Sequence, residues 1–487
     1  MNFKLLFTGL TLAAIVLLLV NFPSLIWLIA LLNAMLLMLL GTGRLLLLLS
    51  KNTEDIPAQG MESYPMVSIH IPICSEPPEV VIETLTAASH LDYPNYEIIV
   101  LSNNTPQEAY WKPIENFCKS RNIRFYHYPK IEGYKAGALN ECLALMDAST
   151  EYIFTVDADY KLQKDALSIA VKRITDSKVD VLQFPQHYFN SNYESIGIRA
   201  DFNHYFNYYS ESANEFSAPL PTGTLSLIAA EALRQVGGWP TESITEDAQL
   251  GIKLLSKGFK TSYCNRRIGR GMMPTSSVEL RVQRSRWIFG NFQSLMHLLR
   301  ANLGCFGKKG MAILQLTAWI NLLGIPLLIV LSFNFMQVFG FSNEMLFPYK
   351  IAVISILIHY CIQFFIIGKS TQYSIHQHIM GFLGNTSLGI LGAFKWWEYA
   401  ITPSQPFKRT DKFGLHRPYS VRSFFWPLLL ISSGFLLLVT EPSNFGFGYF
   451  SVLLGLFLFL AKFFENYQMV KSTQAQKVSM NPNIEKL

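Results

Sequence analysis

The chain has 487 residues, 50% of them hydrophobic, 14% aromatic and only 15% charged. A charged share so far below roughly a quarter, with both ends apolar and a middle of ordinary composition, excludes a purely soluble protein. The net charge of +6 sits mostly beside the apolar segments and reads as membrane topology, not nucleic-acid binding. Residues 1–50 hold two apolar runs, Leu5–Val20 and Ser24–Leu49, separated by Asn21-Phe22-Pro23. Each is near the ~20 residues a bilayer needs, so the pair reads as a transmembrane hairpin and not a cleaved leader. Lys4, Arg44 and Lys51 flank it and the turn has no basic residue, placing both outer ends in the cytoplasm. Arg44, inside the second run, reads as a snorkelling residue. The cysteines have no CxxC spacing, and support neither a zinc site nor a disulfide framework.

A linker (51–66, with Pro57, Gly60 and Pro65) leads to a soluble domain, 67–300, of alternating strand and helix patterns. The predicted strands are Val67–Ile73, Tyr96–Leu101, Ile123–Tyr126, Tyr152–Val156, Val179–Phe184 and Leu225–Ala229. Helices follow Pro78 and cover Glu108–Arg121 and Gly133–Met146. This alternation predicts a doubly wound sheet with its ligand crevice at the carboxyl edge. No GxGxxG or GxxxxGK occurs, so neither dinucleotide nor P-loop chemistry is supported.

The apolar run at Tyr152 ends in Asp157-Ala158-Asp159. Two carboxylates at a strand's carboxyl end can hold a divalent cation, which can neutralise a diphosphate; a solvated turn is the plainer alternative. Gly133-Tyr134-Lys135 opens a helix whose free N–H groups and lysine favour phosphate, although a glycine loop with a surface lysine fits equally. Thr245 reads as a helix N-cap with Glu246 and Asp247 in the first turn. These acids either complement the helix dipole or supply a general base. Gln283, Arg286 and Trp287 fall on one helical face. Arg suits a diphosphate and Trp a sugar ring, the alternative being an interfacial helix at headgroup level.

Asp157-Ala158-Asp159, Thr245-Glu246-Asp247 and Gln283-x-x-Arg286-Trp287, in this order between membrane helices, resemble the D-x-D, T-E-D and Q-x-x-R-W signature of processive family 2 glycosyltransferases. Lys135-Ala136-Gly137-Ala138-Leu139-Asn140 is similar to that family's K-A-x-A-L-N element. Ile244-Thr245-Glu246-Asp247-Ala248, Gly269-Arg270-Gly271-Met272-Met273-Pro274 and Asn103-Asn104-Thr105 resemble the curdlan and β-1,3-glucan synthase branch. The resemblance implies an α/β nucleotide-sugar-binding (GT-A-like) cytoplasmic domain flanked by transmembrane α-helices. It implies an inverting transfer of a sugar, glucose by the branch, from a UDP-sugar to a growing β-glucan, with Mg²⁺ or Mn²⁺ as cofactor.

By that resemblance Asp157 and Asp159 bind the donor and its metal, joined on the donor by Lys135, Asn103 and Arg286. Asp247 is the general base beside Glu246, and Gln283 and Trp287 face the acceptor, as do Thr222 and Gly223 of Pro221-Thr222-Gly223-Thr224, which a Pro-Gly turn before the Leu225–Ala229 strand explains equally well. The family usually has an aspartate where Ser102-Asn103-Asn104 stands, so a uracil would meet an amide here. Pro406-Phe407-Lys408-Arg409-Thr410-Asp411-Lys412 resembles the F-x-V-T-x-K gating loop of cellulose synthase through Phe407, Thr410 and Lys412, with Arg409 at the usual valine. A basic juxtamembrane loop on anionic lipid is the alternative.

Beyond residue 311 the apolar runs Ala312–Phe339 and Ile351–Ile367 read as one transmembrane pair (311–368), Phe424–Val439 and Phe447–Phe464 as another (424–465). Ile379–Phe394 reads as an interfacial helix within 369–423, and 466–487 as a disordered tail. The basic residues around Lys369, Lys395 and Arg422 place the loops and both termini at the inner face of the plasma membrane. The expected partners are a UDP-sugar, a polysaccharide acceptor, membrane lipid and accessory export proteins, with no nucleic acid. A non-processive transferase adding one sugar to a lipid, and a catalytically silent scaffold, are the alternatives.

Overall fold

The computed structural model describes residues 23–50, 63–188, 196–274, 276–339, 343–371, 374–403, 405, 410–412, 421–441, 443 and 445–480. The first predicted membrane arm and Phe407 lie outside these residues. Helix α1 (Pro23–Leu46) is the second arm.

The α/β domain opens with β1 (Val67–Ile73), every residue of which is buried: Val67, Ile69, Ile71 and Ile73 alternate with Ser68, His70 and Pro72 in a strand covered on both faces. There follow α2 (Pro78–Ala88), β2 (Tyr96–Asn103), α3 (Glu108–Ser120), β3 (Arg124–Tyr128), α4 (Tyr134–Leu145) and β4 (Tyr152–Thr155). Next come β5 (Lys161–Leu162), α5 (Ala166–Ser177), β6 (Val181–Gln183), α6 (Ile196–His204), β7 (Ser226–Ala229), α7 (Glu246–Ser256), β8 (Thr261–Tyr263) and β9 (Gly269–Arg270). The main sheet has the order β3-β2-β1-β4-β7-β6-β8. β1 pairs parallel with both β2 and β4, whereas β7 runs antiparallel between β4 and β6.

The sheet is therefore mixed, not wound in one direction throughout. The chain reaches β7 from a long excursion through α6 and a buried π-helical turn, Tyr205–Ser210, without the helix-and-return crossover that a parallel neighbour needs. The result is a GT-A-like α/β domain, with Asp157, Asp159, Asn103 and Gly223 at one edge of the sheet.

Helix α8 (Ser277–Arg300) starts at a serine N-cap: Ser276 Oγ accepts the Glu279 N–H at 3.1 Å. Helices α9 (Phe306–Leu316), α10 (Gly324–Val338), α11 (Leu346–Thr371), α12 (Ile375–Phe394), α13 (Phe425–Thr440) and α14 (Phe445–Met480) complete the chain. Among the described residues four stretches are long and apolar enough to cross a membrane: Ser24–Leu49, Leu346–Lys369, Val421–Thr440 and Phe445–Met469. Helix α10 is apolar but only 15 residues long.

Three expectations are corrected here. Ala312–Phe339 is not one run of helix: it breaks between α9 and α10, while Pro326 sits harmlessly in the first turn of α10, where its missing N–H has no helical partner to lose. Arg44 does not snorkel. It is buried, and its Nη2 donates to the carbonyls of Thr317 (2.7 Å), which also accepts the Ile320 N–H, and Ile320 (2.8 Å), so the charge is spent on the backbone of that break. Helix α14 continues past residue 466 to Met480, because no glycine or proline interrupts the chain before Pro482.

Helix α12 joins the two halves of the molecule, packing on α6 and on α14. Its Gly384 crosses Gly197 of α6 so closely that a Cβ would stand 2.8 Å from the Gly197 carbonyl oxygen, the close approach that small residues permit.

Candidate active site

The Asp-x-Asp stretch is a turn, with Tyr160 N–H donating to the Asp157 carbonyl at 3.1 Å. Just past β4, the Asp157 N–H leaves the sheet ladder and donates to Thr224 Oγ1 at 3.0 Å. That hands both carboxylates to a cavity of about 190 Å³. Lys135, in the first turn of α4, donates to Asp157 Oδ1 at 2.5 Å and to the Gly223 carbonyl at 2.8 Å, and lies 3.9 Å from Glu246 Oε1. Desolvation works against its charge, but Asp157, Glu246 and Asp247 outweigh it and hold the Lys135 pKa above the ordinary value. Asp159 is buried and accepts from Met272 N–H at 3.1 Å and from Lys412 Nζ at 2.6 Å.

Thr245 occupies the N-cap of α7, without a side-chain cap bond. Glu246 and Asp247 of the first turn both face the cavity. Desolvation and the neighbouring Glu246 push the Asp247 carboxyl up to about 7, against Lys135 and the Ala248 N–H, which favour its charge. Only one of the two acids also lines the adjoining cavity of about 60 Å³: Asp247 stands between the compartments, together with Thr222 and Trp287.

Gln283, Arg286 and Trp287 come off α8 into the same space. Desolvation lowers the Arg286 pKa against the pull of Glu246, Asp157 and Asp247. Gln283 is buried with Oε1 unpartnered among the described residues, an acceptor left for a ligand or water. Asn103, Thr222, Gly223, Thr410 and Lys412 complete the wall. Every predicted site residue within the described set thus borders this one cavity.

Sequence reasoning missed Glu76, Tyr134 and Gln186 on the same wall, and Tyr205 and Trp319 on the smaller cavity. Glu76 directly follows β1 at the carboxyl edge and accepts the Cys74 N–H; its position three residues past a buried strand was the available signal. Tyr134 follows Gly133 in the left-handed region (φ 50°), a conformation that costs a non-glycine residue roughly 1–3 kcal/mol. Gly223 has φ +78°, and a Cβ there would stand 2.9 Å from Asp247 Oδ2 and 3.3 Å from Lys135 Nζ. Gly223→Ala is therefore expected to lower turnover by at least about ten-fold, roughly 1.4 kcal/mol, while the protein still folds; initial rates on purified membranes measure this.

The two aspartates fit a divalent cation: their oxygens are hard donors, and each is already matched to a positive charge, Lys135 or Lys412. Among the described residues no group of three His, Cys, Asp or Glu side chains could hold a metal, so a cation held by Asp157 and Asp159 needs ligands from the diphosphate and water.

The family model for Glycosyl transferase family group 2 matches residues 152–367. The cellulose synthase catalytic subunit [UDP-forming] of Xanthomonas axonopodis pv. citri (strain 306) is 27% identical over 270 residues, 54% of this chain and 36% of that one. Glucomannan 4-beta-mannosyltransferase 7 of Arabidopsis thaliana is 28% identical over 248 residues, 49% of this chain and 44% of that one. The solved mannosyltransferase PcManGT from Pyrobaculum calidifontis, in complex with GDP-Man and Mn²⁺, is 16% identical with a TM-score of 0.46, covering 89% of this chain and 97% of that one. The chain spans only 36–37% of the length of the first cellulose synthase subunits it matches. The family match over residues 152–367, the ordered motifs and the candidate membrane helices on either side of the α/β domain support a family 2 glycosyltransferase of the cellulose synthase-like kind.

Proposed function

We propose that the protein is a membrane-bound inverting glycosyltransferase that moves a sugar, glucose in our reading, from UDP to the end of a growing β-glucan and passes the product through its own helices. The observation that carries this reading is Asp247, which borders both the cavity of the two aspartates and the aromatic one. A base at that junction touches donor and acceptor at once. It takes the proton of the acceptor hydroxyl as the hydroxyl attacks the anomeric carbon from the face opposite the diphosphate. Lys135, Arg286 and Lys412 oppose the charge that grows on the leaving group. Asp157 and Asp159 would hold Mg²⁺ or Mn²⁺, which supplies further charge neutralisation at the diphosphate. Trp287 and Trp319 offer ring faces to the acceptor.

The α/β domain and the basic loops lie on the cytoplasmic side of the plasma membrane in this reading, and accessory export proteins would take the product onward. Membranes given labelled UDP-glucose, UDP-N-acetylglucosamine or GDP-mannose with Mg²⁺ or Mn²⁺ test it. A long polymer made from UDP-glucose and cut by a linkage-specific β-glucanase is expected. A short soluble product would overturn processivity, and a lipid-extractable one would replace the polymer by a lipid acceptor.

A further inference from the structure

Arg284 lies inside the Gln283–Trp287 stretch but has no part in the chemistry above. Its side chain is among the largest that are fully buried, at 1% exposure. One Nη is bonded to Asp201 of α6, whose other oxygen accepts from Asn385 Nδ2 of α12 at 2.8 Å. The guanidinium carbon stands 4.7 Å from the Trp319 ring centre, 5.2 Å from Trp287 and 5.4 Å from Phe202. The rings also touch one another: Trp287 and Trp319 at 5.0 Å, Trp287 edge-on to Phe202 at 5.7 Å, and Trp319 stacked on Tyr205 at 4.7 Å. These four rings line the cavity that Asp247 shares. On its other side Arg284 borders a separate polar cavity with Arg44, Asn321, His359 and Gln363.

A buried guanidinium is expensive to desolvate, and an apolar side chain would fill the same volume at less cost. What an apolar residue could not do is fix three ring planes through cation–π contacts while being tied at its other end to a carboxylate on α6. Nε and Nη1 have no hydrogen-bond partner among the described residues, which leaves the rings as the main surroundings of that part of the group. The rings come from α6, α8 and the α9–α10 break, and Arg284 contacts all three while its Nη2 is held by Asp201, which adds a fixed charged anchor to their direct ring contacts.

We propose that the Arg284–Asp201 pair is a positioning device for the acceptor: it sets the spacing and tilt of the Trp287–Trp319 wall, and so governs binding of the saccharide and not of the nucleotide. The proposal rests on the glycosyltransferase reading of the site, and its test does not require turnover. Saccharide binding is read by tryptophan fluorescence on titrating the purified full chain with cello- and laminari-oligosaccharides. Nucleotide binding is read by titrating UDP with Mn²⁺. The variant pairs Arg284→Met with Asp201→Asn, which avoids an unpaired buried charge; Arg284→Lys accompanies it.

The double variant is expected to keep its UDP affinity within about two-fold while its saccharide affinity falls about ten-fold, the equivalent of one aromatic contact. Arg284→Lys, a point charge without the planar fork, is expected to recover only part of the loss. Three results would overturn the proposal: wild-type saccharide affinity in the double variant, parallel loss of UDP and saccharide binding, or no oligosaccharide-dependent fluorescence change in the wild type. A wild type that binds saccharide but transfers nothing from any donor would count against the glycosyltransferase reading and leave the binding comparison to decide on Arg284.

Discussion

Asp247→Asn is expected to reduce sugar transfer by about two to four orders of magnitude, the usual contribution of a positioned general base, with UDP binding changed by no more than about two-fold. The amide keeps the size of the side chain and its bond to the Ala248 N–H, 2.8 Å in the native protein, but cannot take a proton. Because desolvation and Glu246 raise the Asp247 carboxyl to about 7, the base is protonated and idle below that pH. The profile of kcat/KM should therefore climb with pH and reach half its plateau near pH 7. Glu246→Gln removes the like charge that raises Asp247, so its acid limb should move to lower pH, with only about a ten-fold drop in plateau rate. Were Glu246→Gln the more damaging change, or the limb to move upward, the two acids would have to exchange roles.

The residues alone do not make that distinction, since they put the two acids side by side in a first turn where either could serve; only the family resemblance singles out Asp247. Strands and motif residues were legible because burial leaves a local record: β1 begins and ends with the apolar alternation Val67, Ile69, Ile71, Ile73. The contacts that complete the site leave none. Lys412 reaches Asp159 across 253 positions, and Trp319 meets Trp287 only because the chain stops being helical after Leu316. Arg44 was misread for the same reason. Its helix is apolar throughout, so a charge there points to the headgroups unless one knows that the carbonyls of Thr317 and Ile320, at a break in the neighbouring helix, lie alongside. Composition reports how much of a segment is covered, not by what.

The largest stability effect is expected at the other end of the chain, from Lys462→Met. Lys462 and Glu465 are both buried in α14, within the stretch long and apolar enough to span a membrane, with Nζ 2.5 Å from Glu465 Oε2. Nζ also donates to the Ser387 carbonyl of α12 at 2.8 Å, and Glu465 accepts from the hydroxyl of Ser277. Ser277 is the first residue of α8, so a negative charge lies at the positive end of the helix that carries Gln283, Arg286 and Trp287. Two residues on, Glu279 Oε2 accepts the Asp411 N–H at 2.8 Å, next to Lys412. One turn of α8 is thus held from below by a membrane helix and from above by the segment that reaches Asp159. Removing the lysine alone leaves the buried Glu465 carboxylate with the Ser277 hydroxyl and the charge of Arg281 to offset it, which costs up to about 3–5 kcal/mol; detergent-solubilised protein should aggregate on heating well below the wild type. Lys462→Met combined with Glu465→Leu removes both charges and should regain most of that loss, while turnover stays low because the start of α8 has lost its anchor. Heating curves that leave Lys462→Met level with the wild type, or the double variant level with the single, would show that the pair carries no such load; full turnover in a heat-stable double variant would show that α8 keeps its place without it.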